Sequence, residues 1–575
     1  MKPSVAALII VASLGIGAEA QTPIPPRDRS APPPSGTGRI RGRVVAADTG
    51  APLRRAQIHL GSSELRVSRT VSTDADGRFE VADLPDGSYF LTVARNGYAS
   101  LQFGQQRPFE PGRVLEIANG RLLDRVDFAL PRGGVIAGRV TDQLGEPVTG
   151  VSMQAMRYHY VGDGERRLVS VSRGGMFSMV TNDLGEFRVS GLMPGTYVLS
   201  ASPDENGMRG TLNGVGAETQ ANGDSLGYLT TYYPGTTSPE QAEPITIGVG
   251  DVASVSFALS TARLARVSGI VRDSHGRPVT GANIGLRSRT PTGGWSMSGR
   301  QMSADGRFSI ADVAPGDYSI EVVPMSSRIR ASGSAEFDEV ASVPFTAAGQ
   351  EVRDLIITTT PGATVTGRVI FDGTSKAARP DRISAYAPDH RMNVVYRYDG
   401  DNGAVDASGR FQLRGIIGRA LFVHGFKDYN VLDTGWSLKA VTFNGADITD
   451  TPIDIPSAGE IGGIEITLTD TPTRLSGTVT NARREAVKDY VVVLLPDRLK
   501  EGVLPGRFTR TIRPNQEGRY DIKGLPAGDY LAVAVAALES GNEWDPAFRK
   551  QVEPSAKRFS LMHGQTAALD LELMP

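Results

Sequence analysis

Six histidines, His59, His159, His275, His390, His424 and His563, are the first residues to test for chemistry, and they are scattered along the whole 575-residue chain. None stands in a His-x-x-Glu or His-Glu-x-x-His spacing, which would put two ligands on one side of a zinc ion. Cysteine is absent, which removes thiolate zinc sites and cysteine nucleophiles together. A serine nucleophile would need a Gly-x-Ser-x-Gly elbow. The nearest string, Gly294-Trp295-Ser296-Met297-Ser298-Gly299, misses that spacing. Asp399-Gly400-Asp401-Asn402-Gly403 with Asp406, and Asp74 with Asp76, could gather oxygens around calcium, but the EF-hand order is not met. Aspartate before glycine is a turn preference first. The expectation is therefore no catalytic residue, no metal ligand, no cofactor and no enzymatic activity.

Binding offers more. Trp295, Trp436 and Trp544 lie outside the recurring core motifs, and Tyr228, Tyr232 and Tyr233 crowd one Gly-rich stretch. Exposed aromatic faces of this kind would make a glycan platform. A packed alternative exists for Trp436, because Gly435–Val441 followed by Phe443-Asn444-Gly445-Ala446 reads as a hairpin. Tyr98–Pro111, with Phe103-Gly104-Gln105-Gln106-Arg107-Pro108, is a distinctive loop whose partner the sequence does not name. A net charge of −2 leaves no basic excess to neutralise phosphates, so nucleic acid is not an expected partner.

The termini bound the setting. Lys2, an apolar run from Val5 to Ile16 and Ala18-Glu19-Ala20 read as an export signal over residues 1–20. The run is shorter than the roughly 20 residues a transmembrane helix needs, and no later segment is apolar enough, so no membrane span is expected after cleavage. Residues 21–37, with Pro32-Pro33-Pro34, read as an extended tether. An exported chain without disulfides must stabilise each domain by its own hydrophobic core. A periplasmic or extracellular monomer is expected, its partner an unidentified protein or polysaccharide of the cell envelope.

What must position any site is a phrase written five times. Gly42-Arg43-Val44, Gly138-Arg139-Val140, Gly269-Ile270-Val271, Gly367-Arg368-Val369 and Gly477-Thr478-Val479 open alternating strands, 96, 131, 98 and 110 residues apart. A Gly–Pro turn and a second strand follow. Next comes a tight turn around Gly77, Gly185, Gly306, Gly409 and Gly518, each followed two places later by Phe or Tyr. A Pro-Gly-x-Tyr turn then ends at Tyr89, Tyr197, Tyr318 and Tyr530, while the fourth copy reads Ile416-Ile417-Gly418-Arg419-Ala420 and has lost its tyrosine. Short strands between frequent turns, with no 3.6-residue periodicity after the signal, predict β-sandwiches.

This pattern resembles the bacterial carboxypeptidase regulatory-like domain, a transthyretin-like sandwich of about seven strands, over roughly residues 38–575. The resemblance implies an all-β tandem array of about five Ig-like, Greek-key sandwiches. Their expected bounds are 38–132, 133–261 with an insertion at about 203–244, 262–361, 362–470 (divergent) and 471–575, joined as a semi-rigid rod or curved string. The related B-type adhesin repeats often carry a lysine isopeptide bond, but after Lys2 the next lysine is Lys376, so the first three copies have no amine to donate. The implied function is an exported non-catalytic scaffold or binding protein of the envelope. A starch-binding-like carbohydrate binder and an accessory subunit of an extracellular peptidase are the alternatives.

Overall fold

Each opening strand needs a residue without a side chain at one position, and the fold explains why. The opener glycines Gly42, Gly138, Gly269, Gly367 and Gly477 pair directly with Phe79, Phe187, Phe308, Phe411 and Tyr520 of the following antiparallel strand. On the other side the strand that closes the module comes so near that a Cβ would lie 1.9, 1.5, 1.9, 2.1 and 2.1 Å from the carbonyl oxygens of Val126, Val255, Leu355, Ile464 and Leu569. Any larger residue would push the closing strand off the sheet. The aromatic ring takes the space the glycine leaves.

The computed structural model describes residues 36–574 except 63–67, 163, 172–178, 204–217, 220–224, 281, 290–294, 304, 325–337, 388–393, 396–401 and 426–434. The chain is all-β and tandem. In every module the opening strand pairs antiparallel on one side and parallel with the closing strand on the other. In the second module, for example, Gly134–Thr141 lies between Glu186–Leu192 and Val252–Ala258. The parallel pair joins strands far apart in sequence, so the connection crosses over to the second sheet. There Ser152–Tyr160 pairs with Arg166–Ser170 and Gly195–Ser202. One hydrophobic cluster fills the space between the two sheets of each of the five modules.

The turn residues act as local braces. The Asp or Asn three places before the turn glycine accepts two backbone N–H groups. Asp74 Oδ1 takes those of Asp76 (2.9 Å) and Arg78 (2.8 Å), and Asn182, Asp406 and Asn515 do the same in their modules. In the third module Ser303 holds Asp305 and the Arg307 carbonyl instead. The glycines themselves, Gly77, Gly185, Gly306, Gly409 and Gly518, all have φ between +72° and +85°. The tyrosines of the next turn each donate their hydroxyl to the carbonyl four residues back. Tyr89 reaches Pro85 (2.6 Å), Tyr197 Met193 (2.5 Å), Tyr318 Ala314 (3.0 Å) and Tyr530 Pro526 (2.7 Å).

The fourth module shows what happens without that tyrosine. Where other modules turn, residues 410–425 run as a single 16-residue strand that pairs in both sheets, against Gly362–Asp372 and against Arg382–Tyr386. The hairpin read from Asn444-Gly445 is present, both residues having positive φ, and its strand Ser437–Phe443 covers the closing strand Ala458–Thr469.

Two expectations are corrected. Sequence periodicity left no helix, yet Pro546–Val552 is helical, with Asp545 capping it by accepting the Ala547 N–H at 2.8 Å. Seven residues carry too few turns for a periodic signal. That helix buries Val552 on the outer face of Val491–Pro496, a strand buried on both faces. A doubly covered strand reads as a continuous apolar run, here Val-Val-Val-Leu-Leu-Pro. The second correction concerns the string: the last module lies against the first two.

Candidate interaction surface between the fifth module and the first two

The loop following Leu101–Gln102 carries the contact. Gln102 closes it at the base, its Oε1 accepting the Gly112 N–H at 2.7 Å. Within the loop Glu110 accepts the Arg107 N–H (3.1 Å) and an Arg107 guanidinium N–H (3.2 Å). Its carboxylate is 3% exposed, and Arg513 of the fifth module, 2% exposed, meets it at 3.4 Å. Arg513 also donates to the Pro111 carbonyl (3.2 Å) and to Asp489 of its own module. Two buried opposite charges with several hydrogen bonds hold each other strongly, because removing either leaves an uncompensated ion.

Around this pair the joint is dense. Arg113 donates to the carbonyls of Pro514 (3.1 Å) and Asn515 (2.5 Å). Gln516 makes a two-way bond with the Glu116 backbone, accepting its N–H at 3.2 Å and donating to its carbonyl at 2.9 Å. Asn515 donates to the Glu116 carboxylate (2.9 Å), and Arg121 pairs with Glu517 (3.1 Å) at the rim. The Asn515 side-chain oxygen meanwhile braces its own turn while its Nδ2 reaches Glu116, so one recurring residue serves both turn and joint. The buried Arg113 guanidinium is pushed below its ordinary value, first by burial and then by Arg513.

The second module joins through Phe109. Its ring meets the Tyr197 ring edge-on at 6.3 Å, and the Arg157 guanidinium lies 3.5 Å from its centroid. Arg157 also pairs with Glu539 of the fifth module at 3.1 Å, and the Phe109 carbonyl accepts the Ser540 N–H at 3.1 Å. Burial pushes the Tyr197 hydroxyl up to about 12 and lowers His159 below the ordinary imidazole value. The loop is thus gripped by both modules at once.

A smaller joint ties the fourth module to the fifth. Arg507 bonds Asp450 (3.0 Å) and the Leu438 carbonyl (2.9 Å), and burial raises the Asp450 carboxyl despite Arg507. Beside it lies a small cavity of ≈ 70 Å³ lined by Lys439, Thr471, Thr473, Arg507, Pro526 and His563.

Of the six aromatic residues read as a glycan platform, two are buried. Trp436 is 5% exposed, packed edge-on to Phe371 at 5.0 Å in the fourth core, and Tyr232 is also 5% exposed. Both are corrected from platform to packing residues; for Trp436 the apolar face of the hairpin strand draws the ring inward. Tyr228 and Tyr233 pack against the second core, Tyr233 edge-on to Phe257 at 5.9 Å. Trp544 is half-buried in the fifth module, its ring within 4.0 Å of where a Cβ on Gly162 would stand. Trp295 lies in a strand, and its side chain falls outside the described residues, as do His390 and Asp399–Asp401. Among the described residues no group of three or more His, Asp or Glu could hold a metal ion. Asp74 and Asp406, raised as calcium oxygens, accept backbone N–H groups of their own turns.

Residues 39–129 and 266–364, the first and third modules, match the carboxypeptidase regulatory-like domain. Two modules of the chain thus match this domain. The second, fourth and fifth modules share the opener glycine, the bracing turn and, except for the fourth, the tyrosine. No curated protein matches the chain. Three solved structures align with it at low similarity. They are a Streptococcal ancillary pilin (13% identity, 56% of this chain and 98% of that one, TM-score 0.21), GBS52, the minor pilin of Streptococcus agalactiae (14%, 39% and 95%, TM-score 0.20), and BcpA, the major pilin subunit of Bacillus cereus (11%, 56% and 99%, TM-score 0.13). None of these carries a function over to this chain. No described helix is long and apolar enough to cross a membrane.

Sequence reasoning missed the joint because its partners stand some 400 residues apart and, Asn515 aside, do not recur among the modules. The one available signal was the Tyr98–Pro111 loop, set apart by Phe109, Glu110 and Arg107.

Proposed function

We propose that the chain is an exported, non-catalytic multidomain scaffold or binding protein of the bacterial cell envelope. The observation that carries this reading is where the recurring polar groups go. The turn Asp and Asn carboxyl and amide oxygens hold backbone N–H groups, and the tyrosine hydroxyls hold backbone carbonyls, each within its own module. What the five copies have in common therefore builds sandwiches, while what joins them is, Asn515 aside, what differs. Export is supported by the first twenty residues, and the domain bounds proposed above follow the opener glycines.

Two measurements test the reading. Expressed with its leader, the chain is expected outside the cytoplasm with a new N-terminus at Gln21; retention with Met1 intact contradicts export. The purified mature chain is expected to leave peptide and glycoside substrates unchanged. Turnover that a chelator or a single substitution abolishes would overturn the non-catalytic reading.

A further inference from the structure

The closing strand is the last of its sheet in four modules and is covered by a further strand in the fourth, so that four of the five guard this edge. In the first it is three residues, Phe128–Leu130, and in the fifth it is split into Thr566–Ala568 and Leu571–Glu572. In the third, Val352–Thr358 carries Arg353 and Asp354, with φ +55° at Asp354 and a register shift beside it. In the fourth, Ser437–Phe443 pairs along the edge and seals it, leaving Ile464, Ile466 and Leu468 at 0% exposure. Short length, charge, bulges and covering strands are the ordinary protections of sheet edges.

Among the described residues the second module has none of them. Val252–Ala258 is seven residues, uncharged, paired with Gly134–Thr141 in unbroken register, and bonded to no second strand among the described residues. Val255 stands opposite the opener Gly138 as Ile464 stands opposite Gly367, yet Ala253 and Val255 are only half-buried at the rim of the core. Val252 is 63% exposed. The backbone orientation is set by the bonds already made. The Asp251 carbonyl accepts from Val135 N–H and Leu259 N–H donates to Thr141, both at 2.8 Å. Odd-numbered residues therefore face the opening strand, and residues 252, 254, 256 and 258 present their N–H and C=O groups to the free edge.

We propose that this edge pairs with the same edge of a second copy of the chain, antiparallel about a two-fold axis at Val255. That register places Ser254 opposite Ser256 and Val252 opposite Ala258 of the second copy, so every outward backbone group of the strand finds a partner. On the core face it sets small Ala253 against bulky Phe257, and Val255 against Val255. The segment is self-complementary in size, in hydrogen bonding and in its lack of charge, as an isologous contact requires. The fourth module supplies the precedent within this chain, since the equivalent edge there accepts an antiparallel strand. The pairing follows from the second module alone and stands or falls apart from the scaffold reading.

The absence of cysteine makes the test direct. Val255→Cys in the mature chain, oxidised at increasing protein concentration, is expected to give a disulfide-linked dimer, because a residue on the two-fold axis faces its own copy. Ala253→Cys, facing Phe257 of the second copy, is expected to crosslink much less. Light scattering of the unsubstituted chain should show the mass rising from one chain toward two as concentration increases. Ser254→Pro removes an outward N–H that makes no bond in its own module; it should abolish the rise while leaving the melting temperature nearly unchanged. A mass of one chain at every concentration overturns the proposal. So does dimerisation that persists in Ser254→Pro, or crosslinking equal at positions 253 and 255. Saturable capture of an unrelated extended peptide by the edge, without self-association, would also overturn it in favour of a foreign strand.

Discussion

In the first module the chain beyond the strand Gly87–Ala94 runs into a charged loop that the fifth module covers, whereas in the second module a neutral strand at the sheet edge pairs with no further strand among the described residues. Both surfaces belong to the same kind of sandwich. The loop engages through side chains, with Glu110 and Arg513 withdrawn from water together and Arg113 reaching backbone carbonyls. Its specificity comes from groups that fit one partner and would be costly to bury against another. The edge offers only backbone and small side chains, which fit any well-registered strand. A module family can thus diversify its contacts without altering its core: loops set particular joints, and edges are guarded or left open.

The largest effect is expected from removing Arg513. Arg513→Ala leaves Glu110 in a buried joint with Arg107 alone and should weaken the joint by about 3–5 kcal/mol. Small-angle scattering should then report a larger radius of gyration. Replacing both partners, Arg513→Met with Glu110→Gln, should cost less than the single change; an equal or greater loss would mean that packing, rather than the ion pair, holds the joint.

Gly138→Ala comes next and bears on the edge. With a Cβ 1.5 Å from the Val255 carbonyl oxygen, the closing strand must move, at a cost of about 3 kcal/mol. Thermal unfolding should show a lowered transition for the second module, and any dimer formed through the edge should weaken with it. A shift corresponding to less than about 1 kcal/mol would show that the strand is not held where the sheet pairing puts it.

Within the fifth module, Tyr530→Phe removes a buried hydroxyl and leaves the Pro526 carbonyl without its donor, a loss of about 1–2 kcal/mol. Denaturant unfolding measures it. The fourth module already lacks this bond, and the 16-residue strand is its substitute, so Ala420→Tyr there should give no matching gain.

Much of the fold was legible and much of the joint was not, for physical reasons visible in particular residues. Opener glycines, turn glycines and tyrosines recur because strand spacing and turn geometry impose them locally, so their spacing announces sandwiches. The bracing residue three places before the turn glycine varies among Asp, Asn and Ser, all of which offer a side-chain oxygen, and its pattern was easily passed over. Trp436 carried two readings in sequence, platform or hairpin packing, and only the position of Phe371 in the opening strand, two strands away, decides between them. Arg513 with Glu110 could not be read at all, since nothing local links residues so far apart.

The smallest expected effect is on acid stability. Asp570 lies below the usual carboxylate range, first because it accepts the Thr478 N–H and then its hydroxyl. A lowered folded value stabilises the fold above the unfolded value near 3.8 and is lost as pH falls through the folded one. Asp450, raised by burial, acts oppositely: its contribution is present below the unfolded value and is lost as pH rises through the folded one. Asp570→Asn should therefore flatten the fall in the urea midpoint of the fifth module below about pH 4, and an unchanged acid slope would remove Asp570 from the cause.

The fold-back of the fifth module onto the loop of the first is tested most directly by a distance. In this cysteine-free chain, Arg121→Cys with Glu517→Cys can carry two spin labels at positions whose native side chains pair at 3.1 Å. A short, narrow distance distribution that broadens and lengthens on adding Arg513→Ala is the predicted result. A long, broad distribution in the otherwise unaltered chain would contradict the joint and return the array to an open string.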